Sequence, residues 1–277
     1  MKTDSSAKAP KDDESEEEEV IKPKKKVAKV VEEEAEPPKN SFAKKAEEKK
    51  KAAPPVSSRK KNDDDDGVTI KPLNKAKRAQ VDARTKYPLN EVKGDHVEKL
   101  QNFCADAFGL KFHDLMFAKA QNFEKHIKCV KQLDACINSQ QDEIIEVLDL
   151  IFKWFNLRVN ESSNTQLITI ILDFYANLFT MFIENSYKMQ EFEALVSIGT
   201  ICDKSGINNK VLQEKVRKLV KMCYEVYDKK ATLRILIDQG VKNKNMKSSA
   251  ECLDMVAQYI AENGPDHILK KDYNLFI

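Results

Sequence analysis

Residues Val241–Gly264 read VKNKNMKSSAECLDMVAQYIAENG, a short polar turn that opens directly into an amphipathic helix. Asn263 and Gly264 stand before a proline, which is a helix stop signal because glycine accepts the left-handed cap and proline cannot continue the helix. A helix of this length is marginal in water, so we expect it to pack against a neighbour. Its predicted buried stripe follows helical spacing: Ala250, Leu253, Val256, Ala257 and Ile260.

The same arrangement recurs toward the N-terminus. Polar loops with capping residues end near Thr165, Lys210 and Lys247, about 45 and then 37 residues apart, and each lies between two helical patterns. Helix-turn-helix units of roughly 40–47 residues are typical of HEAT and armadillo arrays, in which each unit buries its apolar face against its neighbours. We therefore predict an all-α, HEAT-repeat α-solenoid. Its predicted units are about 93–138, 141–186, 190–228 and 231–264.

Two helical patterns are apolar enough to form the centre of the array. Asp142–Arg158 is apolar nearly all round, which predicts a central helix. Leu167–Ile183 is shorter than the roughly 20 apolar residues of a membrane span and is interrupted by Asp173 and Asn177, so we interpret it as a buried core helix. In the first and third units the predicted buried stripes include Phe103 and Val211, respectively.

The composition favours an all-helical, intracellular protein. The 277 residues include only 7 glycines and 9 prolines, and 33% are charged. A formal net charge of +2 gives no strong overall field. The six cysteines have irregular spacing and no Cys-x-x-Cys pair, which predicts buried free thiols in a reducing compartment. The N-terminus lacks the patterns of a signal or transit peptide, so we expect a soluble protein.

Segments of different character flank the array, which we expect to span residues 76–264. Residues 1–75 alternate acidic and basic runs with little apolar content, which predicts a disordered charged arm that serves as a solvating linker or a tether for an acidic partner. Residues 265–277 form an apolar tail. We expect this tail to fold back on the fourth unit as a half-repeat, or else to leave a dimer or partner face. Its apolar residues are Ile268, Leu269, Tyr273, Leu275, Phe276 and Ile277.

The loops inside the units are the candidate binding surface. In a solenoid, loops that are far apart in sequence line up along one edge. We call this edge the loop ridge; the sequence predicts that it comprises residues 119–122, 160–165, 205–210 and 242–247. Rigid helices behind such a ridge lower the entropic cost of binding a large surface.

Several short motifs resemble those of a known family. They are Asp149–Phe155 (DLIFKWF) with Leu157-Arg158, Val216-Arg217, and KNKNMK at 242–247 with AECL at 250–253. Over about residues 78–264 the chain resembles a TOG domain of the microtubule polymerase and spindle-pole family. The first loop carries Phe117 or Lys119 where tubulin-gripping modules carry tryptophan. Four of the family's six units are recognisable, so we expect a shortened loop edge.

The resemblance implies a non-enzymatic, tubulin-binding module that contributes to microtubule dynamics and spindle organisation. It implies tubulin or microtubules as partners, a spindle-pole coiled-coil protein as a further candidate, and a place in the cytoplasm on the cytoskeleton, at the spindle pole or centrosome. Because tubulin is acidic, lysines on the ridge would pair with its carboxylates in a salt-sensitive way. The candidate tubulin-binding residues are Lys119, Asn122, Ser163, Asn164, Thr165, Asn208, Asn209, Lys210, Lys242, Lys244, Asn245 and Lys247.

Other functional classes compete less well. A generic HEAT-repeat adaptor that binds a protein other than tubulin shares every feature except the loop lysines and the family motifs. A nucleic-acid binder is disfavoured because acidic runs interrupt the basic clusters and stacking aromatics are lacking. An enzyme is disfavoured because the four histidines have no partnered nucleophile or carboxylate and there is no glycine-rich phosphate loop. We expect no cofactor, no metal and no membrane partner.

Overall fold

The computed structural model describes residues 68–84, 87–89, 94–268 and 272, all of which belong to one unit. These residues contain eleven α-helices, a π-helical segment and no strand. The helices are α1 (Lys75–Arg84), α2 (Gly94–Phe108), α3 (Leu110–Met116), α4 (Phe123–Ser139), α5 (Gln141–Glu146), α6 (Leu148–Glu161), α7 (Thr165–Glu184), α8 (Glu191–Asp203), α9 (Lys210–Val226), α10 (Lys229–Ile235) and α11 (Met246–Asn263). The π-helical segment, Leu236–Val241, joins α10 to the turn before α11.

The helices pair into four stacked units, which confirms the predicted α-solenoid. The units are α2 and α3 with α4, α5 and α6 with α7, α8 with α9, and α10 plus the π-helical segment with α11. Their second helices form one layer, since α7 packs between α4 and α9. Their first helices form the other layer, since α8 packs between α6 and the π-helical segment.

The core is centred on α6, as its apolar pattern predicts. Every residue from Leu148 to Val159 is buried, and Trp154 and Phe155 are fully enclosed. The predicted single helix is in fact two, because Val147 leaves helical geometry and separates α5 from α6. All six cysteines are free and buried, as predicted, and burial raises the pKa of the Cys129 thiol to about 12.

Helix α7 is the one helix of the described residues that is long and apolar enough to cross a membrane. It packs between α4 and α9, and ten of its side chains are buried, among them Phe174 and Tyr175. These contacts place it in the core of the array, in agreement with our interpretation of Leu167–Ile183.

The predicted buried stripe of α11 is wrong in part. Ala250 and Ala257 are exposed, and the buried face instead consists of Ser248, Cys252, Met255, Val256 and Tyr259. Two overlapping sets of residues at helical spacing are available in this helix, so periodicity alone does not select its rotation. Close packing selects it, because Gly206 lies against the backbone of Ser248 and Gly240 lies against Cys252.

The folded part also starts earlier than predicted. Val68 and Ile70 are buried in the core, and α1 begins at Lys75, so residues 68–75 do not belong to a disordered arm. The prediction for residues 1–67 lies outside the described residues. Helix α1 is tied to the array by Arg78, whose Nε and Nη2 donate to the Asp149 carboxylate at 2.9 and 2.7 Å.

The described residues of the C-terminal tail contact the fourth unit. Ile268 is buried, and His267 Nδ1 lies 2.9 Å from the Tyr259 hydroxyl on α11. Asp272 is also buried, and its Oδ1 lies 3.6 Å from Lys242 Nζ. The other apolar tail residues lie outside the described part of the chain, so the half-repeat remains a prediction.

Candidate functional site: the loop ridge

Three of the four predicted loops meet at one edge of the array. Loop 2 (162–164), loop 3 (204–209) and Asn245 of loop 4 line a groove of about 660 Å³; loop 4 is defined here as residues 242–248, so that it includes the first residues of α11. Five of the predicted site residues line this groove: Ser163, Thr165, Asn208, Asn209 and Asn245. Of its described lining residues, none comes from loop 1 (117–122). Lys119 and Asn122 are exposed in loop 1, outside the groove.

Three of the predicted asparagines cap helices. Asn164 Oδ1 accepts from the Leu167 N–H at 2.9 Å, at the start of α7. Asn209 Oδ1 accepts from Val211 N–H at 3.0 Å and from Leu212 N–H at 3.2 Å, and Asn245 Oδ1 accepts from Lys247 N–H at 3.0 Å. Asparagine caps satisfy N–H groups that a helix leaves open at its N-terminus. These side chains therefore shape the loops, whatever else they contact.

Loops 3 and 4 are held together by direct contacts. Gly206 N–H donates to Ser248 Oγ at 3.3 Å, and that hydroxyl donates to the Asp203 carbonyl at 3.0 Å. The Ser205 hydroxyl contacts the Ser248 carbonyl at 3.2 Å. At the surface, Lys247 Nζ donates to Asn208 Oδ1 at 2.8 Å. The two loops thus form one rigid surface.

The lysines of the ridge differ in whether a carboxylate lies close enough to neutralise their charge. Lys242 Nζ lies 2.7 Å from Asp238, and this contact raises the lysine's pKa. Lys210, Lys244 and Lys247 are exposed, and among the described residues Lys244 has no ion-pair partner. Positive charge available to a ligand is therefore concentrated at Lys210, Lys244 and Lys247.

Two exposed apolar residues were not predicted: Met246 on the ridge, and Val211 just outside it. Met246 is 79% exposed at the start of α11, and Val211 is 62% exposed in the first turn of α9. The prediction that Val211 belongs to the buried stripe is wrong, as it is for Phe103, which is 37% exposed. A usable signal exists for Val211, since Lys215 and Lys218, its helical neighbours along the same face, are charged. Of the two, Met246 lies between the exposed lysines Lys244 and Lys247 in the chain, as suits a protein-binding surface.

Loop 1 rests on buried polar side chains. His126 is almost fully buried, and its Nε2 lies 3.2 Å from the Ala118 carbonyl and 3.3 Å from Arg158 Nη1. Arg158 in turn pairs with Glu161 at 2.7 Å, next to loop 2. Burial, and then the positive charge of Arg158, lower the pKa of His126.

We expect His126 to make the protein less stable in mild acid. Because its native pKa lies below the unfolded value of about 6.5, the unfolded state binds more protons once the pH falls below that value. The stabilisation is therefore complete above pH ~6.5 and is lost as the pH falls toward the native pKa, with a slope of at most about 1.4 kcal/mol per pH unit. Urea unfolding of wild type and His126→Gln between pH 7.5 and 5.5 measures this slope, which the variant should lack.

His96→Gln serves as the control, because His96 is only half-buried and lies on α2. It should retain the wild-type slope. An unchanged slope in His126→Gln would contradict the assignment.

Several known proteins are similar in sequence to the helical array. No family model matches the chain. Protein MOR1 of rice is 28% identical over 199 residues, covering 71% of this chain and 10% of MOR1. Protein MOR1 of Arabidopsis is 27% identical over 196 residues, with the same coverage of 71% and 10%. The Drosophila protein mini spindles is 26% identical over 153 residues, covering 55% of this chain and 7% of mini spindles. The chain spans about a tenth of the length of the MOR1 relatives.

Solved TOG structures share the fold. A structure from work on TOG–tubulin binding specificity, microtubule dynamics and mitotic spindle formation superposes with a TM-score of 0.66 at 20% identity, covering 73% of this chain and 82% of that one. The TOG domain of C. elegans Zyg9 gives a TM-score of 0.64 at 18% identity, covering 71% and 74%. Together, the sequence matches and the shared fold show that this helical array is similar to TOG domains over about 70% of the chain.

Proposed function

We propose that the loop ridge binds tubulin and that the module contributes, without enzymatic activity, to microtubule dynamics and spindle organisation. The observation that carries the proposal is the surface formed by loops 3 and 4. There Lys244 and Lys247 are exposed on either side of Met246, which is 79% exposed. This pairing of positive charge with an apolar anchor suits an acidic protein surface.

The rigidity of that surface supports the same conclusion. The contacts of Gly206 with Ser248 and of Lys247 with Asn208 fix loop 4 on loop 3 before any partner arrives. A preorganised surface loses little conformational entropy on binding. Exposed lysines also accelerate encounter with an acidic partner in a salt-dependent way.

Cellular location follows from the same proposal. One relative, mini spindles, is named for the spindle, and another, centrosomal protein 224 of Dictyostelium (23% identical over 195 residues), is named for the centrosome. We propose a cytoplasmic, cytoskeletal location at the spindle pole or centrosome. A spindle-pole coiled-coil partner remains a prediction from the resemblance.

Size-exclusion chromatography with tubulin tests whether the loop ridge binds tubulin. The wild-type chain should co-elute with tubulin, and Lys244→Glu/Lys247→Glu should weaken the complex at least about tenfold, because it reverses two charges at the binding edge. The complex should also weaken between about 0.05 and 0.3 M salt, where the screening length shortens. Met246→Ser tests the apolar contribution without changing charge.

The matched control is Lys218→Glu/Lys230→Glu, which reverses two exposed lysines on α9 and α10 outside the ridge. It should leave the complex intact. Lys244→Glu alone tests the charge without removing the Lys247–Asn208 hydrogen bond. Absence of a complex with the wild-type chain would refute the tubulin proposal and favour an adaptor that binds another protein.

A further inference from the structure

A second candidate binding surface lies at the start of the array, away from the loop ridge. We call it the end groove; it is formed by the segment before α1, the α2–α3 junction and α4, and encloses about 370 Å³. Its apolar floor consists of Val68, Phe108, Phe112 and Leu115. None of its described lining residues belongs to the four loops of the ridge.

Hydrogen bonds hold one wall of the end groove in place. One wall is the segment 68–71, which is held by Ile70 N–H donating to Gln140 Oε1 at 2.9 Å and by Gln140 Nε2 donating to the Val68 carbonyl at 2.8 Å. Lys71 N–H also donates to the Ala107 carbonyl at 2.8 Å. This wall is therefore fixed against α2 and α4. The groove lies beside this wall, over Phe108, Phe112 and Leu115.

The charged residues at the rim of the groove indicate which kind of ligand it would bind. Lys71 on one wall and Lys111 on the other are both exposed, and Lys128 of α4 also lines the groove. Among the described lining residues none is acidic. Leu110 stands between the lining residues Gly109 and Lys111 in the chain and is 72% exposed.

We propose that the end groove binds a short acidic segment of a partner protein that carries apolar anchors. The anchors pack on Phe108, Phe112 and Leu115, and flanking carboxylates pair with Lys71 and Lys111. The volume lies within the roughly 300–1,000 Å³ of typical binding clefts. Amphipathic segments that place one apolar face in a groove are a common mode of peptide recognition. The proposal does not depend on tubulin binding by the ridge.

Fluorescence anisotropy with a defined peptide tests this inference on the full chain. The probe is fluorescein-labelled Glu-Glu-Leu-Leu-Glu-Glu-Leu-Leu-Glu-Glu. We expect saturable binding that weakens at least tenfold in Lys71→Glu/Lys111→Glu and severalfold in Leu110→Ser. A peptide with serine in place of leucine, and one with lysine in place of glutamate, should each bind at least tenfold more weakly than the probe.

The controls separate this site from the ridge. Lys218→Glu/Lys230→Glu and Lys244→Glu/Lys247→Glu should bind the probe as the wild type does, and thermal unfolding checks that every variant is folded. Leu110→Ser keeps the test valid if the double lysine variant is unstable, because Leu110 is largely exposed. The proposal is overturned if the probe does not bind, if all variants bind equally, or if the lysine peptide binds as tightly.

Discussion

Gly206→Val is expected to lower the free energy of unfolding by about 3 kcal/mol, the upper part of the range for overpacked sites. A Cβ atom at this position would lie 2.4 Å from the Ser248 backbone nitrogen and 2.7 Å from the Lys247 carbonyl carbon. Both are backbone atoms of α11, which cannot rotate away as a side chain can. The clash therefore forces loop 3 and α11 apart. Urea unfolding of both proteins measures the loss.

The same change tests whether the ridge works as one surface. Separating loops 3 and 4 removes the contacts of Gly206 with Ser248 and of Lys247 with Asn208, so tubulin binding per folded molecule should fall although no lysine is lost. Gly206→Ala should give a smaller effect of the same kind.

The control for the glycine substitution is Gly94→Ala. A Cβ at Gly94 meets nothing within 4 Å, and the residue is exposed at the start of α2. Its stability should stay within about 0.5 kcal/mol of the wild type, as for most surface substitutions. If Gly206→Val were as stable as Gly94→Ala, the close approach of loop 3 to α11 would be wrong.

Local sequence patterns were sufficient to predict most of the fold. The all-round apolar pattern of Asp142–Arg158 predicted a central element, and the polar loops before Thr165, Lys210 and Lys247 predicted where the second helices of their units begin. Such features depend on residues close together in the chain. Helical periodicity and capping chemistry report on them directly.

Features that depend on contacts between distant residues could not be predicted. The rotation of α11 is fixed by Gly206 and Gly240, which lie outside that helix. The exposed position of Val211 depends on which face of α9 meets the array. At the N-terminal boundary, composition alone places Lys75 and its neighbours in a solvated charged arm. Their burial becomes favourable only when the acidic partners on α6 and α8 are brought close by the fold.

In the folded protein, two charged side chains of α1 are buried in ion pairs. Lys75 pairs with Glu193 of α8, and its Nζ also donates to the Ile145 carbonyl at 2.7 Å. Arg78 pairs with Asp149 of α6 and donates to the Glu146 carbonyl at 2.6 Å. The side chains of Arg78 and Asp149 are each only 5% exposed. Their charges are therefore compensated by each other rather than by water.

Arg78→Met is expected to destabilise the protein by about 3–5 kcal/mol, because it leaves the Asp149 carboxylate buried without its partner. Helix α1 should also detach more easily from α6. The free energy of unfolding in urea measures the first effect. Protease cleavage near residues 85–93, between α1 and α2, reports the second.

The double variant Arg78→Met/Asp149→Leu distinguishes loss of the charge pair from loss of packing. Replacing both members of a buried ion pair with apolar groups of similar size is often neutral or stabilising, whereas removing one member is costly. Most of the lost stability should therefore return when the second substitution is added. If the double variant is as unstable as Arg78→Met, or less stable, the buried Asp149 charge is not the cause. Helix α1 would then be held mainly by the packing of Val68 and Ile70 and by Lys75, rather than by the arginine pair.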